Sequence, residues 1–115
     1  MTLILHITQR QAWEQAKALQ TYQADSLKSE GFIHCSTLQQ IVQVANKFFA
    51  HEKGLILLCI DSDKVEAEIL YEAVDGDYFP HLYGRLNVDA VFQVLTFEPN
   101  EEGNFELPEA LRSII

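Results

Sequence analysis

Three histidines stand in short, distinctive settings: Leu5-His6-Ile7-Thr8, Gly31-Phe32-Ile33-His34-Cys35-Ser36 and Phe79-Pro80-His81-Leu82-Tyr83-Gly84. Imidazole has an ordinary pKa near neutrality, so it suits proton transfer, hydrogen-bond donation and metal binding. His6 and His34 lie in apolar stretches that read as strands, where backbone geometry fixes a side chain. If the three converge, they define a site. The fourth histidine, in Ala50-His51-Glu52-Lys53, reads as a dipole partner at a helix end. Glu72 is the leading carboxylate. An apolar run before it and Val74 after it predict a partly buried place at a strand end. A carboxylate there can act as a general base, orient a histidine or stabilise a developing cation.

Thr8, Ser26, Ser36, Tyr83 and Arg85 complete the candidate set as ligand-binding residues. Pro80 fixes its own φ and restricts Phe79, and Gly84 permits unusual conformations, so Tyr78 to Gly84 reads as a constrained binding loop. Other chemistries lack their signatures. There is no Gly-rich phosphate loop, dinucleotide fingerprint, nucleophile elbow, His-Glu-x-x-His helix or paired-cysteine zinc site. Three histidines would suit zinc with an open water position, so a metal-dependent enzyme stays as an alternative. Cys35 and Cys59 sit in apolar segments and read as buried thiols. Neighbours on a strand face opposite ways, so a His34 on a cleft puts Cys35 in the core.

The elements that must position these groups follow from periodicity. Leu3 to Ile7 predicts a strand, and Thr8 a cap for a helix from Gln9 to Leu19 with Ala12, Trp13, Ala16 and Leu19 on its core face. Trp13 reads as a packing anchor. Tyr22 to Glu30 is irregular, with a helical turn after Asp25 or Ser26. Phe32 to Cys35 is a short strand. Ser36 or Thr37 caps a helix from Leu38 to Ala50, whose apolar stripe includes Phe48 and Phe49. Leu55 to Ile60 is a continuous apolar run, expected as a central strand buried on both faces. Ala67 to Val74 and Val91 to Phe97 are further strands, Asp75-Gly76-Asp77 is a turn, and Pro108 opens a short last helix. Helices in the first half and strands in the second predict an α+β fold with small mixed or antiparallel sheets.

The 115 residues fit one domain. The formal charge of −9 argues against broad binding of DNA or RNA, but not against one phosphate-bearing small molecule. No apolar run approaches the roughly 20 residues that span a bilayer. Met1 to Leu5 lacks a basic flank and reads as strand, which makes the cytoplasm the default location. Oligomeric state is not legible.

His6-Ile7-Thr8, Trp13, the Gly31 to Ser36 segment, Ala45-Asn46, Phe48-Phe49, Glu72 and the Phe79 to Gly84 segment together resemble the family called domain of unknown function 952, over nearly the whole chain. That family is similar to the ADP-ribosyltransferase superfold, which binds NAD in a cleft between two small sheets, and within it to the tRNA 2′-phosphotransferase branch. The resemblance implies that His6 bonds the ribose on the nicotinamide side and that His34 flanks the nicotinamide. Glu72 or His81 would take the third, variable position. The arginines that hold phosphates in the phosphotransferases have no match among Arg10, Arg85 and Arg112. The expectation is a small enzyme acting on NAD or a related nucleotide, with Glu72 stabilising a ribosyl cation. A non-catalytic nucleotide-binding module is the alternative from a different class.

Overall fold

The structure, a computed structural model, describes residues 2–113. Met1, which the sequence places in the first strand, lies outside the described residues. The elements are β1 (Leu3–Gln9), α1 (Arg10–Leu19), β2 (Thr21–Tyr22), α2 (Asp25–Ser29), β3 (Ile33–His34), α3 (Ile41–Phe48), β4 (Leu55–Asp61), β5 (Glu68–Val74), β6 (Asp77–Tyr83), β7 (Leu86–Asn87), β8 (Val91–Thr96) and α4 (Glu109–Arg112). Three small sheets have the orders β1-β4-β8, β2-β7 and β3-β6-β5, all antiparallel. The fold class is α+β. No helix among the described residues is long and apolar enough to cross a membrane.

The Leu55 to Ile60 run does what its composition demands. β4 is the middle strand of the first sheet, and its side chains alternate between two cores. Ile56, Leu58 and Ile60 pack with Trp13, Ala16 and Tyr22. Leu55, Leu57 and Cys59 pack with Ile41, Ala45, Phe97 and Phe105. Asn46 clasps the last of these segments. Its amide donates to the Phe105 carbonyl at 3.2 Å and accepts from the Phe105 N–H at 2.6 Å.

Several local expectations are corrected. Thr8 caps nothing, because pairing with β4 carries β1 on to Gln9, opposite Leu55. The buried face of α1 is Trp13 and Ala16, whereas Leu19 is 73% exposed at the helix end, where Gln20 turns left-handed. α3 begins three residues late. Ser36 is committed to a bridge with Leu5, and the Gln40 amide holds the entry by accepting from Thr37 N–H and donating to Asp77 and the Tyr78 carbonyl. Phe48 leaves the expected stripe and is 65% exposed. Pro108 precedes α4 as its cap.

The largest correction concerns Tyr78 to Gly84. It is not a loop but most of β6, the middle strand of the third sheet. Asp75 and Gly76 both have positive φ and close a two-residue hairpin between β5 and β6, the Asp-Gly geometry that matches strand twist. Pro80 is tolerated because of where its missing donor falls. Its carbonyl accepts from Cys35 N–H at 3.1 Å, so its nitrogen faces the same neighbour at the point where that neighbour leaves the sheet. The proline costs one bond and ends the pairing. One residue later the chain joins the first sheet, where Ser36 and Leu5 exchange two backbone bonds of 2.8 Å. This handover brings β1 beside β3 and β6.

Candidate functional site

At the handover lies a cavity of about 350 Å³. β1 is an edge strand, so Leu5, His6 and Ile7, residues of both its faces, border it. His34, Ser36, Phe79 and His81 come from the third sheet and its exit, Ser26 from α2, and Val44, Phe48 and Phe49 from α3 and its end. All three sequence-selected histidines therefore converge. Their situations differ.

His6 is buried and closed. Its Nδ1 faces the His34 carbonyl, which can only accept, so Nδ1 carries the proton. Burial pushes its pKa down to about 4, against the partial support of that backbone bond, and the ring is neutral at neutral pH. Nε2 is then an acceptor, filled by the Tyr22 hydroxyl at 2.8 Å. With Tyr22's proton spent there, the Thr8 hydroxyl, 2.8 Å away, donates to Tyr22. Burial raises Tyr22 to about 12, which keeps the phenol protonated. Thr8 thus belongs to an internal chain and does not line the cavity.

His81 is equally buried but open. Its Nδ1 lies 2.8 Å from Glu72, and Tyr83 donates to the same carboxylate oxygen at 2.5 Å. Those two bonds, Tyr83 first, hold Glu72 below the ordinary carboxylate range, and Glu72 in turn raises Tyr83. An anionic acceptor fixes the proton on Nδ1 and leaves Nε2 without a partner. Among the described residues no side-chain nitrogen or oxygen is both sealed from solvent and unbonded, so the free Nε2 keeps some solvent access, and the His81 side chain borders the cavity. Phe32 stacks on the ring at 4.0 Å and 21°, fixing its plane.

His34 is half exposed. Its Nε2 meets Glu30 at 2.8 Å, and its ring stands edge-on to His81 at 5.5 Å. Cys35, just past β3, packs in the first core but also borders the cavity, so the opposite-face expectation holds only in part; burial raises its thiol, as it does that of Cys59. Ser26 lines the cavity, but its hydroxyl donates to the Phe32 carbonyl at 2.7 Å. Glu72 sits mid-strand on β5, behind His81, and neither it nor Tyr83, at the end of β6, is on the lining. Arg85 is exposed in the connection from β6 to β7 and takes no part. Among the described residues no three His, Cys, Asp or Glu side chains could share a metal ion, and His6 has no nitrogen to offer one.

Sequence reasoning missed Tyr22, Glu30 and Phe32. Phe32 had a signal: two residues before His34 on an extended chain, it shares that face. Tyr22 and Glu30 had none, since their partners come from other elements.

The fold and site define a class: a small α+β domain with a histidine-lined cleft where two antiparallel sheets meet. The family model described as a protein of unknown function, DUF952, matches residues 7–94, and the chain belongs to that family. The crystal structure of protein CC0527 from Caulobacter crescentus superposes with a TM-score of 0.88 at 31% identity, covering 96% of this chain and 99% of that one. Its solution NMR structure gives 0.79 at 30% identity, covering 98% and 97%. No curated protein matches the chain.

Proposed function

We propose that the protein is a small ADP-ribosyltransferase-type enzyme that breaks the N-glycosidic bond of NAD or a related nucleotide. The observation that carries this reading is the Glu72–His81 pair, with one imidazole nitrogen held by a carboxylate and the other without a partner among the described residues, on a side chain that borders the cavity. As the base leaves with the bonding electron pair, a water or acceptor hydroxyl adds to the ribosyl carbon. His81 Nε2 takes its proton, and Glu72 stabilises the imidazolium that results. Glu72, placed behind the histidine, acts on it and not directly on the ribosyl cation. His34 borders the ligand with its second ring nitrogen. His6 positions His34 through its carbonyl. Phe48, Phe49 and Phe79 form the apolar walls that a flat base needs.

The ligand in this reading is a small nucleotide; the charge of −9 gives extended nucleic acid no basic footprint. The protein works in the cytoplasm, where free thiols such as Cys35 and Cys59 persist. The test is nicotinamide release from NAD, followed by chromatography. The wild type releases it, and His81→Gln slows release by about 10²–10³-fold, the range general-base removal gives. Wild-type binding without any release would leave a nucleotide-binding module. Absence of both binding and release overturns the reading.

A further inference from the structure

Resting on that reading, we infer that the cleft selects the cationic ring and ribose of its ligand and leaves any phosphate in solvent, so that an N-ribosyl pyridinium binds as well as the dinucleotide. Among the described residues no lysine or arginine lines the cavity. Its polar side chains are three imidazoles, two hydroxyls and the Cys35 thiol, and the Ser26 hydroxyl already donates to the Phe32 carbonyl. Negative charge stands directly behind two of the rings: Glu30 and Glu72 each lie 2.8 Å from a ring nitrogen of His34 and His81. A phosphate brought into this partly desolvated space meets both carboxylates with no lysine or arginine between, whereas a pyridinium meets their attraction.

The devices that hold phosphates are accounted for elsewhere. Helix N-termini and arginine forks are the usual ones. At the start of α3 the Gln40 amide already binds a carboxylate, Asp77, at 2.9 Å. Lys47 comes within 5.3 Å of the Phe48 ring, but Asp75 pairs with it at 3.3 Å. The mouth is apolar: Phe48 and Val74 both line the cavity and both remain exposed. Aromatic faces attract a cationic ring and offer a phosphate nothing.

The experiment is calorimetric titration of the intact chain with nicotinamide riboside, NAD and AMP at low salt. The riboside is expected to bind within threefold of NAD, AMP not at all, and Phe48→Ala to weaken the first two alike. NAD binding more than tenfold tighter than the riboside overturns the inference, and loss of that advantage in Lys47→Ala would locate the phosphate contact. AMP binding as tightly as NAD overturns it too. In either case nicotinamide release from NAD leaves the enzymatic reading standing. Binding of none of the three, with no release, overturns both.

Discussion

His6 and His81 are both buried strand histidines within one cleft, and they do opposite work. His6 is closed by two neutral partners, a carbonyl and a phenol, and its proton is locked between strands. His81 is closed on one side by an anion and open on the other. The contrast teaches that burial does not make a histidine reactive. What matters is whether a nitrogen is left free and whether the partner's charge favours the protonated ring.

The sharpest way to break this comparison is to exchange the readouts. His81→Gln is expected to cut nicotinamide release by about 10²–10³-fold while urea denaturation shows a loss of only about 1 kcal/mol. His6→Ala should destabilise the fold by about 2–4 kcal/mol, since it opens a cavity, leaves the His34 carbonyl without its imidazole donor and reduces Tyr22 to its bond with Thr8. If His6→Ala folds as well as wild type, the closed network is not structural.

pH sharpens the same contrast. In the folded chain His6 titrates at about 4, below its ordinary 6.5. As pH falls from 6.5 the unfolded chain takes up this proton first, so stability is full above 6.5 and drains away toward 4. The loss is on the order of 3 kcal/mol. Urea midpoints at pH 7, 5.5 and 4.5 check it, and His6→Gln should flatten that part of the profile. A slope unchanged in the variant would assign it to other groups.

Much of the scaffold was legible because local rules and tertiary context agree there. The β4 run, the Asp75-Gly76 turn and the Trp13 anchor are of this kind. Thr8 and Pro80 misled for one reason: each carries a strong local signal that pairing overrides. Thr8 is drawn into β1 by its neighbours' pairing with β4. Pro80 sits mid-strand because its one missing bond falls where β3 departs. The three histidines could be picked out by type and setting, but their convergence could not. It depends on two backbone bonds between Ser36 and Leu5, residues whose identities say nothing about that bridge. Likewise nothing in the spacing of Glu72 from His81 distinguishes a carboxylate on the ligand from one behind the imidazole; the β5–β6 register decides it.

The smallest expected effect tests whether Glu72 acts through His81 alone. Tyr83→Phe removes one of the two donors on the carboxylate and leaves His81 in place. The Glu72 carboxyl should titrate higher than in wild type, as carbon-detected NMR of its side chain can follow, because the Tyr83 bond is the largest cause of its depression. Release should change by no more than about threefold, since the anion still faces Nδ1 and a bond of this kind contributes only about 1 kcal/mol. A loss as deep as that of His81→Gln would mean that the phenol itself carries a catalytic proton. The boundary between the two regions would then have to be redrawn to include Tyr83.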